Sequence, residues 1–328
     1  MSDKIIKLDS SFIASASVVG GREHEGPIGS FFDMHDPDDS FGMDTWEKAE
    51  SEMQRRAIST ALLKGKLKPD DIDAFFAGDL LNQCVGSAYG MLSYGIPYFG
   101  LYGACSTAAE GIMLAAALTS TGIFERAAAV TSSHNCSAER QYRMPTEYGG
   151  QRAPTAQWTV TGAGAFIVGR GGDVKIKEAM PGIPIEKGIN DAANMGAAMA
   201  PAVVSTLTRY FRASGSEPRD FDMILTGDLG HEGYSILCGL MRVEGYDISH
   251  VLCDCGMMIY SKETQDVHSG GSGCGCSAAV LASYVLPKIA RGELERVLFL
   301  GTGAMMSPSS LQQGLAIPGI AHLLRFEV

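Results

Sequence analysis

The chain lacks any apolar run near the roughly 20 residues that a membrane-crossing helix needs. Its longest candidate, IMLAAAL at 112–118, is bounded by Glu110 on one side and by Thr119 and Ser120 on the other. The N-terminus, MSDKIIKLDS, has neither the basic head nor the apolar centre of a signal peptide. A soluble chain without signal peptide or transmembrane helix is the expectation. Positive charge is also scarce. With 26 Lys and Arg against 37 Asp and Glu, a net charge of −11 repels a phosphate backbone, so no nucleic-acid partner is expected. C-x-x-C spacing is missing as well. The eight cysteines include CDC (253–255) and CGC (274–276), whose C-x-C spacing does not suit a zinc ribbon. Without a secretion signal they are read as reduced, packed thiols, and no metal is expected. The acidic stretch DMHDPDD (33–39) lacks the ligand spacing and turn glycine of a calcium loop and is read as a solvated loop. The 16 methionines are scattered and read as core filler.

What is present is a repeat. DIDAFFAGDL (71–80) and DFDMILTGDL (220–229) share Asp, Asp, Gly, Asp and Leu at equal offsets. Each is a short apolar run bounded by charge, the pattern of a buried strand. Amphipathic helices are expected before them, over 44–67 and 195–215. Downstream, CSTAAEGIMLAAALTSTGIFER (105–126) parallels CSAAVLASYVLPKIARGELER (276–296). The strands RAAAVTSS (126–133) and RVLFLGTG (296–303) follow, and glycine-led strands close both halves, TGAGAFIVGR (161–170) and PGIAHLLRF (318–326). Four matches in one order predict two similar halves, 1–170 and 171–328, packed about a pseudo-two-fold. Strands alternating with helices predict an α/β fold with largely parallel sheets.

YFGLYGACSTAAEGIML (98–114) reads as strand, tight turn and helix, with Cys105 at the turn. A helix N-terminus stabilises a thiolate there. Two histidines occupy sheet-edge loops of the second half. His231 follows the repeated strand in GDLGHEGYSIL, and His268 lies in the glycine-rich DVHSGGSGCGCSAAVL. In a duplicated fold these loops face the first half, so Cys105, His231 and His268 are expected to converge. In SSHNCSAERQYRMP (132–145), His134 and Asn135 follow an apolar strand and are candidate ligand contacts. Arg140 and Arg143 are read as surface charges.

A duplicated α/β chain with a cysteine on a strand-to-helix elbow resembles the thiolase superfamily, ketoacyl synthases included. That resemblance implies a duplicated five-layer α/β/α/β/α fold, a homodimer paired through a first-half sheet edge, and Cys105 as an acyl-carrying nucleophile with His231 and His268 as its histidines. GTGAMMSPSSLQQG (301–314) keeps Gly301 and Gly303 of the synthases' glycine-rich loop but then carries two methionines and a proline. A closer resemblance, on GACSTAAEGIMLAAAL, TSSHNCSAERQYRMPTEYGGQRAPTAQWTVTGAGA (131–165) and SPSSLQQGLAIPGIAHLL (307–324), is to the stage V sporulation AD family of spore-forming Firmicutes. It implies a binding protein on an enzyme scaffold, peripheral at the forespore or spore inner membrane. That protein would take dipicolinic acid, or its calcium chelate, for the SpoVA system that moves it into the forespore and out at germination. The site then comprises Cys105, His134, Asn135, His231, His268 and Gly303, with no cofactor. Two alternatives stand beside it: a condensing enzyme using Cys105, and a scaffold of the SpoVA complex that binds no ligand.

Overall fold

The computed structural model describes residues 4–142 and 151–328. Ten strands form a continuous ladder that reads alike from either edge. From the first edge run β4 (Tyr98–Leu101), β3 (Ala74–Gly78), β5 (Ala127–Ser133), β7 (Gly162–Gly169) and β1 (Ile6–Gly20). Across the seam come β8 (Val174–Met180), β13 (Gly319–Glu327), β12 (Arg296–Ala304), β9 (Met223–Thr226) and β10 (Leu252–Asp254). β2 (Met34–Asp36) adds to β1, and β6 (Trp158–Thr159) pairs with β11 (Gly271–Ser272) in a small separate ladder.

The expectation of largely parallel sheets needs correction. Within the ten-strand ladder only the outer pairings of each half are parallel, β3 with β4 and β5, and β9 with β10 and β12. β7 and β13 run antiparallel to both neighbours, and β1 meets β8 antiparallel at the seam. The cause is the connection: the chain leaving β5 or β12 turns back at the same end of the sheet. The next strand therefore enters from that end, without the helical crossover that a parallel neighbour requires.

Helices fill three layers. α2 (Trp46–Gly65) and α3 (Val85–Met91) cover the outer face of the first half; α6 (Met195–Ser214) covers the second, with α7 (Gly230–Val243) against it. Between the halves lie α4 (Thr107–Ser120) and α9 (Cys274–Val280), the latter continuing through one π turn into α10 (Leu286–Ala290). α4 touches strands of both halves, which makes it the middle layer. Four short α-helices complete the set among the described residues: α1 (Gly21–His24), α5 (Asn135–Tyr142), α8 (Cys255–Met258) and α11 (Pro308–Gln312). No described helix is long and apolar enough to cross a membrane.

The repeat is visible atom by atom. Asp73 accepts from the backbone N–H groups of Glu125 (2.6 Å) and Arg126 (3.0 Å); Asp222 accepts from Glu295 (2.7 Å) and Arg296 (2.9 Å). Each shared aspartate thus ties the start of its strand to the Glu-Arg turn that ends a central helix. Small residues let the central helices sit close: a methyl on Gly301 would lie 2.5 Å from the Ala109 Cβ, and one on Gly164 would lie 2.5 Å from the Ala278 carbonyl oxygen. Both glycines stand on the inward-facing strands, where a side chain would push α4 or α9 away.

Candidate functional site

α4 starts at a strained turn. Ala104 has φ 49°, left-handed for a residue with a side chain, and it delivers Cys105 to the mouth of the helix, 5% exposed. Gly303 closes the turn from β12, since a Cβ there would lie 2.5 Å from the Gly103 carbonyl oxygen and 3.1 Å from the Ser106 nitrogen. Its role in the described fold is this close approach.

Above Cys105 lies a partly enclosed cavity of about 80 Å³. One water needs roughly 10–15 Å³ on this kind of measure, so the space suits a small molecule, not a long acyl chain. Leu80, Tyr102, Tyr142, Met195, Met306 and Leu311 form its apolar walls. Cys105, Thr159 and Ser272 supply hydroxyl and thiol groups, and Glu139 lies at its rim. Tyr102 and Tyr142 share a hydrogen bond of 2.8 Å, and the Tyr142 hydroxyl also lies 2.9 Å from the Leu80 carbonyl oxygen.

The group behind the thiol is a carboxyl. Asp228, 1% exposed, accepts at Oδ2 from the Ser272 hydroxyl (3.1 Å) and the Gly273 N–H (2.9 Å), and at Oδ1 from the Thr302 hydroxyl (2.7 Å). Ser272 in turn sits 3.9 Å from the Cys105 sulfur. Burial raises the Asp228 pKa to about 7. Burial, and after it the Asp228 charge, hold the Cys105 thiol well above its ordinary range. Hydrogen bonds from the Ser272 hydroxyl and the Gly273 N–H work in the other direction and do not prevail. These surroundings disfavour the thiolate, the reverse of what activates a nucleophilic cysteine.

Asp254 holds Asp228 in place. Its Oδ2 accepts from the Thr226 hydroxyl (2.7 Å) and the Leu229 N–H (2.8 Å), its Oδ1 from the N–H groups of Gly230 (3.0 Å) and Met257 (3.2 Å). The informative residue of the CDC stretch is thus its aspartate, while the eight cysteines are free thiols.

The expected trio does not form. His231 and His268 come together, but in a separate open pocket with Arg152 and Lys262, away from Cys105. The reason is one helical turn. The residue at the C-terminal end of β9 that faces the elbow is Asp228; His231 is already in the first turn of α7, its N–H held by the Ser269 carbonyl (2.8 Å). His268 is turned aside by its own bonds, Nδ1 to the Ala153 carbonyl oxygen (2.7 Å) and Nε2 to the Asp266 carboxylate (3.0 Å). His134 and Asn135 also have structural partners. His134, fully buried, reaches the Asp39 carbonyl oxygen (2.9 Å), and Asn135 donates to the Thr159 carbonyl oxygen (3.2 Å). Neither lines the cavity. Arg140 pairs with Glu47 on the surface; Arg143 lies outside the described residues. Sequence reasoning missed Asp228, Asp254 and Ser272. The signal for Asp228 was in view, because it belongs to the repeated Gly-Asp-Leu.

The layered duplication with its elbow cysteine is a thiolase-like α/β fold. Solved structures of that kind align over nearly the whole chain. A variant of OleA from Xanthomonas campestris gives a TM-score of 0.61 at 14% identity, covering 98% of this chain and 100% of that one. The 3-oxoacyl-[acyl-carrier-protein] synthase III of Aquifex aeolicus gives 0.55 at 12%, covering 96% and 99%. At these identities the likeness concerns the fold. The family is given by sequence: residues 3–327 match Stage V sporulation protein AD (SpoVAD), and the chain belongs to that family. It is 43% identical over 318 residues to the Stage V sporulation protein AD of Bacillus subtilis (strain 168), covering 96% of this chain and 94% of that one.

Proposed function

We propose that this sporulation protein binds dipicolinic acid, free or as its calcium chelate, in the cavity above Cys105, and so serves dipicolinate uptake and release by the SpoVA system. The observation that carries this reading is the Cys105–Asp228 pairing. It puts a buried carboxyl behind the position of a nucleophile, beside a small, mostly apolar cavity. A flat pyridine ring fits between Leu80, Met306 and the tyrosine pair, with the Thr159 hydroxyl as a donor to its carboxylates and the Ser272 hydroxyl as a second once it turns its proton from Asp228. Condensation is disfavoured because a thiol raised by burial, and then by a neighbouring carboxyl, forms an acyl thioester slowly.

The described lining supplies no cation, and Asp228 stands behind it as a buried acid. Charge balance therefore favours ligand that carries its own calcium or meets a protonated Asp228. Calorimetric titration of the intact protein with dipicolinate, with and without calcium, tests the reading. Saturable 1:1 binding that weakens in a Ser272→Ala variant supports it. Absence of heat under both conditions leaves the scaffold alternative, and stable acylation of Cys105 by an acyl thioester, seen by intact mass, restores the enzyme.

The homodimer belongs to the same proposal. β4 is an uncovered edge carrying Tyr98 and Phe99, with Phe99 48% exposed, and Tyr89 and Leu92 stand exposed beside it. A second copy would cover this face, and the protein would sit at the membrane through partner subunits.

A further inference from the structure

Glu50 lies in the second turn of α2, wholly buried. Its Oε1 accepts from the Ser132 hydroxyl at the end of β5 (2.9 Å), and its Oε2 lies 2.7 Å from the Ser137 hydroxyl on α5. α5 is a wall of the cavity, which it lines through Ala138, Glu139 and Tyr142. The ionisable groups that bear on Glu50 come from three other places: Asp79 after β3, Glu47 one turn earlier on α2, and the Cys274 thiol at the start of α9. All are acids. Elsewhere on α5 and its entry, Arg140 pairs with Glu47, and His134 meets Asp39.

Hydrogen-bond directions decide where the proton sits. The Gln54 side-chain amide donates to the Ser132 hydroxyl (2.7 Å), which leaves the Ser132 proton for Glu50 Oε1. The Ser137 hydroxyl also lies 3.1 Å from the His134 carbonyl oxygen. With a proton on Oε2, Glu50 donates to Ser137 and Ser137 donates to His134, so every hydroxyl in the chain both gives and accepts. Without it, Ser137 must turn its proton to Glu50, the His134 carbonyl keeps only the Ala138 N–H (3.0 Å), and a bare charge is left facing Asp79.

We propose that Glu50 is a proton latch for α5: protonated, it ties the helix across the cavity, and when it ionises the cost of keeping its charge buried beside Asp79 favours release of the helix. Burial first and Asp79 second raise Glu50 from 4.5 to about 8. In the released state Glu50 meets water and regains its ordinary value. The latch is therefore complete below about pH 4.5, weakens by up to tenfold per pH unit as pH rises, and changes little above about pH 8. Its consequence for ligand retention rests on the reading of the cavity as the dipicolinate site; the motion of α5 does not.

Hydrogen exchange of the full chain without ligand tests it, followed over residues 135–142 between pH 5 and 8 and corrected for intrinsic exchange. Wild type should lose α5 protection by several-fold to about tenfold per pH unit. Glu50→Gln, whose amide can donate to Ser137 and accept from Ser132, should keep protection constant. Ser137→Ala should lower it at every pH and flatten its slope, which serves if the first variant folds poorly. Protection in wild type that is independent of pH, or an equal loss in Glu50→Gln, overturns the latch. Dipicolinate titration of the same samples decides the ligand separately: exchange that follows pH with no dipicolinate binding keeps the latch and rejects the ligand.

Discussion

Asp79 and Asp228 end the same echo, one in each half, and their carboxyls serve different ends. Asp79 turns inward on its own loop, accepting from the Leu81 N–H (2.8 Å), the Ser87 N–H (2.7 Å) and the Ser87 hydroxyl (2.6 Å). Asp228 reaches away from its strand to Ser272, Gly273 and Thr302 and stands behind Cys105. The sheet edges differ in the same sense. β4 is largely exposed, whereas β10 is covered, with Leu252 at 6% and Asp254 at 1% exposure. Duplication supplied two equivalent frames; the first became surface and anchor, the second became site. Four experiments test that division.

The largest effect is expected at the edges. Phe99→Glu places a charge in the middle of the proposed dimer face, worth about 3–5 kcal/mol when buried unpaired. Sedimentation at micromolar concentration should show a dimer for wild type and a folded monomer for the variant. A monomeric wild type would remove the functional contrast between β4 and β10. Next comes the aspartate pair. Asp79→Ala leaves two buried N–H groups without an acceptor and should cost about 2–4 kcal/mol in urea unfolding. Asp228→Asn keeps an acceptor and relieves a buried acid, so its cost should stay within about 1 kcal/mol. Equal losses would show that both residues are anchors.

Much of this frame was legible in the sequence because it rests on residues repeated at fixed offsets. The paired aspartates Asp73 and Asp222, the helices ending at Gly122 and Gly292, and the glycine-led strands all follow from position within an element. The elbow was legible for the same reason. The site was not, because it depends on which residue of a turn faces inward. Three positions separate Asp228 from His231, and one turn of α7 carries the histidine into another pocket. Chemical habit favoured the histidine, while the repeat already marked the aspartate. Strand direction failed differently: apolar runs reveal burial but not the end from which a strand enters.

The third test sets Glu50, in the first half, beside Asp228, in the second. Both are raised, to about 8 and about 7, so each supplies stability that is complete below its unfolded value and is lost as pH rises through the folded one. Unfolding free energy should therefore fall between pH 5 and 7. Glu50→Gln and Asp228→Asn should each reduce that slope by the equivalent of one proton, roughly 1.4 kcal/mol per pH unit. Stability that increases toward pH 8 would show that neither carboxyl keeps its proton in the fold.

The smallest effect is the most specific to the site. When Asp228 ionises near pH 7, a bound dianion gains a like charge behind Ser272, so dipicolinate affinity should fall as pH rises from 6 to 8. The change should be less than tenfold overall, about 1 kcal/mol, because intervening hydroxyls can reorient. Calcium should mask it by supplying the opposing charge. Asp228→Asn should remove the pH dependence, and His231→Ala should leave both affinity and slope as they are, since His231 lines the other pocket. Titration of the two variants at pH 6, 7 and 8 separates the possibilities. A slope that survives Asp228→Asn and disappears in His231→Ala would move the ligand to the open pocket. The second half would then hold two sites, and Asp228, like Asp79, would be an anchor only.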